Sequence, residues 1–110
     1  CDVFGNVIDN FGTSSPSQVD EKTGVIVRRD DTTVQGNTIR NGPFGVLLTS
    51  GPLNVVVTGN TGSGISNYGI RFLIYSGDDL IVKNNAMGGG SGTIANAPAT
   101  SSTIIISDNI

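Results

Sequence analysis

Residues 55–60 read Val-Val-Val-Thr-Gly-Asn, a short β-branched run that is closed by a turn. The same arrangement, an apolar residue followed three positions later by Asn, recurs along the whole chain. The asparagines concerned are Asn6, Asn37, Asn60, Asn85 and Asn109, at spacings of 31, 23, 25 and 24 residues. A turn-forming residue precedes each of them. Because three of the four spacings agree, we interpret the chain as a repeat of roughly 24 residues.

A second apolar segment recurs within each period. It begins at a glycine in every case and covers residues 24–27, 45–48, 69–72 and 92–95. A period of roughly 24 residues accommodates two strands with their turns, whereas a βαβ unit needs about 30 residues. We therefore predict an all-β fold, a right-handed parallel β-helix of about four to five coils with strands about 4.8 Å apart. The main alternative is a β-sandwich, which predicts alternating strands joined by hairpin turns.

The first spacing is longer than the others, and it contains the polar stretch from Thr13 to Lys22. We interpret residues 1–110 as one β-helix segment of a longer chain, with a loop insertion at about residues 12–23. Such a loop either carries a binding surface or is a solvent-exposed insertion in the coil with no binding role.

Composition argues against several functional classes. The net charge is −3 and the largest basic cluster is the pair Arg28-Arg29, so the basic footprint of a nucleic-acid-binding protein is missing. No apolar stretch reaches the ~18 residues of a membrane span. With no His and one Cys, the chain lacks the ligands of a zinc site. We expect no metal and no cofactor.

Alternation along the strands sorts the side chains into inward and outward sets. If Val55 and Val57 face the core, Val56 faces outward, and the same holds for the equivalent strands. Columns of exposed apolar side chains normally indicate that something packs on them, either another part of the same chain or identical subunits about a three-fold axis. The residues predicted to point outward are Thr33, Val56, Ile81 and Ile105 in one sheet, and Ile26, Leu47 and Arg71 in the other.

The repeated asparagines are interpreted as structural. An Asn at the same turn of successive coils can donate to one neighbour and accept from the other. Asn also tolerates the left-handed backbone conformation that such turns require.

The segments Val34–Asn41 and Val57–Gly62 share the pattern Val-x-Gly-Asn-Thr. They resemble the pectate-lyase-like right-handed parallel β-helix superfamily, in particular its phage tailspike and polysaccharide-depolymerase branch. That resemblance implies an extracellular or virion-tail protein that binds or depolymerises a bacterial surface polysaccharide, and that forms a homotrimer. Two alternatives remain: a monomeric bacterial polysaccharide lyase or epimerase, and a non-catalytic structural stalk or adhesin.

Candidate site residues are few. Gly77-Asp78-Asp79 resembles the Gly-Asp-Asp element of β-helical galacturonases, which would make Asp78 and Asp79 catalytic, although the other elements of that family are missing here. Asp is also a common turn former, which favours a structural role for Asp30-Asp31 and Asp78-Asp79 over calcium binding.

An exposed Arg beside an aromatic residue suits either a charged sugar or a subunit contact. Arg28, Arg71 and Tyr75 are therefore the predicted substrate-binding residues, with Arg71 and Tyr75 expected to point outward from one strand. Gly88 to Gly92 could be taken for a phosphate-binding loop, but the Lys and the helix that such a loop needs are missing.

Overall fold

A computed structural model describes residues 1–9 and 23–110 of the chain. These residues form ten β-strands and no helix, so the structure describes no helix that could cross a membrane. The strands are β1 (Asp2–Phe4), β2 (Val7–Asp9), β3 (Thr23–Val27), β4 (Thr32–Gln35), β5 (Thr38–Ser50), β6 (Leu53–Thr58), β7 (Thr61–Tyr75), β8 (Asp78–Lys83), β9 (Gly92–Ala95) and β10 (Ile104–Ser107).

The strands stack into two parallel sheets, which confirms the predicted right-handed parallel β-helix, here of about four turns. The first sheet has the order β1-β4-β6-β8-β10, and the second has the order β2-β5-β7-β9 with β3 also paired to β5. Each strand pairs with its equivalent one coil away; Val34, for example, lies beside Val57, which lies beside Val82. A β-sandwich would require antiparallel pairs, whereas every pairing among the described strands is parallel.

Two strands are much longer than the sequence predicts. β5 has 13 residues and β7 has 15, and each combines the predicted segment with an earlier limb. The early limb of β5, residues 38–40, pairs with β2, and its later limb, residues 44–48, pairs with β3. The ladder between β5 and β7 shifts register between Gly42 and Phe44, as expected where a bulge bends the strands between the two limbs. The early limb of β7, Thr-Gly-Ser, has no apolar run to reveal it.

The core lies between the two sheets and consists of the side chains that alternation predicts to face inward. Val55, Val57, Leu80 and Val82 are fully buried in it. Fully burying a side chain of this size stabilises a fold by roughly 1.5–3 kcal/mol. Opposite them, Val46, Leu48, Ile70 and Phe72 supply the second wall of the same cluster.

The outward column of the first sheet is also confirmed. Val56 is half-buried, and Ile81 and Ile105 are 38% and 42% exposed. The second sheet departs from the prediction at Leu47, which is completely buried although its backbone position is an outward one. Leu47 is paired with Arg71 and does not belong to the core cluster. Burial therefore occurs on both faces of β5, as is common in parallel sheets.

The insertion predicted at residues 12–23 falls almost entirely outside the described residues. Only Thr23 is described, and it is the first residue of β3.

Candidate functional site

The five repeated asparagines form a continuous ladder of hydrogen bonds through the turn that follows the first sheet. The backbone N–H and the side-chain amide of Asn37 both donate to Oδ1 of Asn60, at 3.0 Å each. Asn60 donates in the same way to Asn85 at 3.1 and 2.8 Å. The amide of Asn60 also donates to the carbonyl of Val34 at 3.0 Å. These polar groups are fully buried and satisfied, so the ladder supports the fold and offers no binding surface.

The left-handed backbone of this turn is not where the sequence analysis placed it. Positive φ angles occur at the residue before each ladder asparagine: 63° at Gly59 and 56° at Asn84, for example. The ladder asparagines themselves are not among the positive-φ residues. The repeated Asn is therefore required for its amide, and the left-handed requirement explains the turn former that precedes it. The preceding residues, all with positive φ, are Gly5, Gly36, Gly59, Asn84 and Asp108.

The Asp pairs lie at the other end of the first sheet, where its strands begin. Asp31, Asn54 and Asp79 stand at equivalent positions with φ angles of 55°, 59° and 51°. The amide of Asn54 donates to Oδ1 of Asp31 at 2.8 Å. Oδ1 of Asp30 accepts from the backbone N–H of Leu53 at 2.8 Å. Asp30 and Asp31 therefore link adjacent coils at this end of the sheet.

Asp78 is exposed and ionised at neutral pH. Its Oδ1 accepts a hydrogen bond from the Thr103 hydroxyl at 2.5 Å and another from the Asp79 backbone N–H at 2.9 Å. These two hydrogen bonds lower the pKa of Asp78 below its ordinary value of 3.8. A general acid in glycoside hydrolysis needs a raised pKa, so this environment suits a turn better than acid catalysis.

Arg71 lies at the centre of the outer face of the second sheet, stacked on an aromatic ring. Its Cζ is 5.1 Å from the centroid of the Phe44 ring. Because its chain neighbours Ile70 and Phe72 face the core, Arg71 points to the outer face, and the Phe44 ring beneath it is buried. Phe44 is paired with Tyr68 on the adjacent strand. We call these residues, together with Leu47, the Arg71 patch.

Arg71 is held in this position on two sides. The ring of Phe44, itself buried, supports its guanidinium, and Leu47 is its partner in the sheet. Its Nε is buried and has no hydrogen-bond partner among the described residues. A planar guanidinium fixed by stacking can present its remaining N–H groups to a carboxylate in the bidentate geometry that such groups prefer.

The structure separates Tyr75 from Arg71, contrary to the sequence analysis. The Tyr75 ring packs edge-on against the core residue Phe72, with 5.1 Å between centroids. Ile74, with a φ of 48°, adopts the left-handed conformation and breaks the alternation that links Arg71 to Tyr75. Burial, and to a smaller extent the charge of Asp78, raises the pKa of Tyr75 above its ordinary value of 10.0. Tyr75 is therefore part of the packing and not of the outer face.

Arg28 follows β3 directly and is exposed. It lies two strands away from β7 in the second sheet, roughly 10 Å across the ladder. A groove of about 340 Å³ is lined by Arg28 and Arg29 together with Cys1, Val25 and Val27. The structure thus places Arg28 on the same sheet as Arg71 but outside the patch.

Phe44 and Tyr68 were not among the predicted site residues. The two aromatic residues are 24 residues apart, which equals the period of the repeat. An aromatic position conserved between two coils of the same chain is the signal that could have identified them.

In the glycine-rich segment from Gly88 to Gly92, the backbone N–H groups of residues 89–92 already donate hydrogen bonds within the protein. Gly89 and Gly92 donate to each other's carbonyls at 2.9 and 3.2 Å. Gly90 and Ser91 donate to the carbonyls of Ile65 and Asn67, both at 2.9 Å. A phosphate loop needs free N–H groups, so the turn interpretation fits this segment.

Within residues 1–9 and 23–110, no group of three or more acidic or Cys side chains is placed to hold a metal ion. A scan of the chain against protein-family models finds no match, and neither the curated proteins nor the solved structures contain one. The fold and the Arg71 patch are therefore the basis for a functional proposal.

Proposed function

We propose that this chain is the β-helix segment of an extracellular polysaccharide-binding protein of the pectate-lyase-like superfamily, most closely a phage tailspike-type receptor-binding protein. The Arg71 patch is its contact with a negatively charged sugar. The observation that carries the proposal is the guanidinium of Arg71 stacked on Phe44, on the outer face of a rigid parallel sheet.

The patch combines the two features that recognition of an acidic sugar requires. Arg71 supplies a fixed cation for a carboxylate, and the half-buried ring of Tyr68, which is the ladder partner of the buried Phe44, supplies aromatic surface for the C–H face of a sugar ring. The sheet itself supplies rigidity, because every strand of the patch is hydrogen-bonded to a neighbour in the next coil. An extended polysaccharide binds best to a surface that loses little entropy on binding.

Binding, rather than cleavage, is the activity that the described residues support. A retaining or inverting glycosidase needs one carboxyl group with a raised pKa, whereas the pKa of Asp78 is lowered. The Arg71 patch contains no carboxylate. We therefore propose binding for this segment and assign no catalytic step to it.

The test is a binding titration of the chain with polygalacturonate and with neutral dextran, followed by calorimetry. We expect binding of the acidic polymer only, and at least a tenfold loss of affinity in Arg71→Gln, because one bidentate charged contact contributes more than 1.4 kcal/mol. Arg40→Gln is the matched control, since Arg40 lies on the early limb of β5 and pairs with Asp9 at 3.3 Å. Equal losses in the two variants, or equal binding of dextran, would overturn the proposal.

A further inference from the structure

The outer face of the first sheet has a pattern of polar, apolar and polar side chains that repeats from coil to coil. The strand register aligns these side chains into three columns across β4, β6, β8 and β10. The front column consists of Asp31, Asn54, Asp79 and Thr103; the central column of Thr33, Val56, Ile81 and Ile105; and the rear column of Gln35, Thr58, Lys83 and Ser107.

The central column is apolar and accessible over its last three coils. Ile81 and Ile105 are 38% and 42% exposed, beside the half-buried Val56. A shallow groove of about 220 Å³ follows these three residues and is bordered by Asn54 and Asp79 of the front column. A contiguous apolar column on a sheet face is typical of a contact surface.

The two flanks of this column carry opposite charges. In β8, Asp79 stands on one side of the outward Ile81 and Lys83 on the other, and all three side chains are exposed. A polysaccharide with charges of one sign would complement only one flank. Another copy of this chain complements both, because the front flank of one copy can meet the rear flank of the next.

The width of the apolar column favours three copies over two. Two flat sheets that face each other about 10 Å apart bury their flanks together with their centres, and the desolvation of Asp79 and Lys83 would then offset their attraction. Around a three-fold axis the three faces are inclined to one another, so that only the central column is enclosed. The charged flanks then lie at the rim of the contact, where ion pairs stay hydrated.

The flanks also close the ring of three. With the β-helices parallel, Asp79 of each copy lies beside Lys83 of the next, and Ile81 meets its two equivalents on the axis. Adjacent columns are roughly 7 Å apart, so an axis roughly 8 Å from the strands leaves roughly 7 Å between the flanking backbones, which an Asp–Lys pair can span. The corresponding pairs in the neighbouring coils are polar, Asn54 with Thr58 and Thr103 with Ser107.

We propose that three copies of this chain pack side by side through the outer face of the first sheet, with the central column on a three-fold axis. The contact begins at β4, because Asp2 takes the central position in β1 and three carboxylates would repel one another on the axis. The second sheet lies across the core, so all three Arg71 patches face outward. The number of copies agrees with the proposed tailspike-type function, and the contact face is inferred independently of the Arg71 patch.

The assembly formed by these residues alone is weak. Four strands span roughly 19 Å and five residues along a strand roughly 17 Å, which gives about 320 Å² of flat surface per copy. Stable interfaces bury about 800 Å² per partner. We therefore expect half of the chains to assemble at about 0.1–1 mM, and this concentration should rise with salt because the paired charges lie at an exposed rim.

Sedimentation equilibrium of the chain up to about 1 mM, at low ionic strength, measures the half-assembly concentration and the number of copies. Ile81→Thr should raise this concentration at least tenfold, because it removes three apolar side chains from the axis. Ile26→Thr is the matched control, because Ile26 is 37% exposed on the outer face of the second sheet, and it should change nothing. A monomer throughout, a dimer, or equal effects of the two substitutions would overturn the inference.

Charge exchange tests the three-fold axis itself. Asp79→Lys and Lys83→Asp should each abolish assembly, because each places like charges together at three corners. The double variant, which carries both substitutions, should assemble within about threefold of the original concentration, because every lysine again meets an aspartate.

A mixture of the two single variants distinguishes three copies from two. In a ring of three, at least one corner must join two copies of the same variant, so an equimolar mixture should assemble far less than the double variant. Far-UV circular dichroism checks that each variant is folded. A folded double variant that stays monomeric, or a mixture that assembles as well as the double variant, would exclude the proposed axis.

Arg71→Gln separates this inference from the sugar contact. It should leave trimerisation unchanged. Ile81→Thr should leave the affinity for polygalacturonate unchanged when binding is measured well below the half-assembly concentration, where both proteins are monomers. Failure of the contact face would therefore be recognisable without failure of the Arg71 patch, and the reverse.

Discussion

The two turns that flank the first sheet both contain residues in the left-handed backbone conformation, but they differ in the side chains that accompany it. Each contains a residue with positive φ in successive coils, such as Asn54 at the start of β6 and Gly59 after its end. The turn after the sheet continues into a buried asparagine with the same hydrogen bonds in coil after coil. The turn before the sheet is exposed, and its residue changes from Asp31 to Asn54 to Asp79.

The difference follows from burial. In the buried turn, every amide group that is not paired inside the protein has lost its water, so only a side chain that donates and accepts can serve. In the exposed turn, water satisfies whatever the side chains leave unpaired. Several polar residues therefore fulfil the same role there, and a repeated residue is evidence of a buried polar position.

The strongest test of this comparison uses two asparagines at opposite ends of β6. Asn60→Ala removes the acceptor for two groups of Asn37 and the donor to the Val34 carbonyl, all in the interior. At about 1–3 kcal/mol for each buried group left unpaired, partly relieved by relaxation, we expect a loss of about 3–5 kcal/mol. Asn54→Ala removes an exposed hydrogen bond and a favourable left-handed residue, which together cost about 1–1.5 kcal/mol.

Urea unfolding of both variants measures the difference. The matched pair keeps the residue type, the strand and the substitution constant, so that burial is the main variable. Equal destabilisation would mean that the ladder has no more effect than an exposed turn, and the comparison would fail.

The sequence predicts the coils well because their signals are local. Val55, Val56 and Val57 are the same residue type, so alternation defines two possible inward sets, and the structure buries the set of Val55 and Val57. The turn former and Asn that follow this run recur in every coil. Periodicity was therefore sufficient for the fold class and the ladder, and alternation gave the inward set once one residue had been placed.

The candidate site was predicted less well because it depends on departures from the regular pattern. The left-handed Ile74 reverses the direction of Tyr75, and a β-branched residue gives no hint of that conformation. The Phe44 ring lies beneath Arg71 from a neighbouring strand, next to the register shift between Gly42 and Phe44. Neither feature is encoded in the residue types around Arg71, so the sequence indicated the arginine but not its aromatic support.

A second prediction separates the two requirements of the buried turn, the left-handed backbone and the amide. Gly59 has a φ of 63°, and a Cβ built on it meets no atom within 4 Å. Gly59→Ala should therefore cost about 1 kcal/mol through backbone strain alone. Gly59→Asn should cost less than about 0.5 kcal/mol, because Asn84 occupies the equivalent position with a φ of 56°. Thermal unfolding of the two variants measures this order, and a larger loss in Gly59→Asn would show that the position is not governed by backbone conformation.

The smallest expected effect concerns the exposed turn and its dependence on pH. The Thr103 hydroxyl donates to Asp78 and is the main reason that the pKa of this carboxyl is lowered. A folded-state pKa below the unfolded value means that the interaction stabilises the protein above about 3.8 and is lost as the pH falls through the folded-state pKa. Thr103→Val should therefore raise the pKa of Asp78 in an NMR titration and slightly lower the melting temperature at pH 7, and the difference in melting temperature should vanish at acidic pH. Ser102→Ala, at the neighbouring exposed position, should change neither quantity. If Thr103→Val destabilised the protein equally at pH 7 and at pH 2, the hydroxyl would act through packing, and this turn would resemble the buried one more than its exposure suggests.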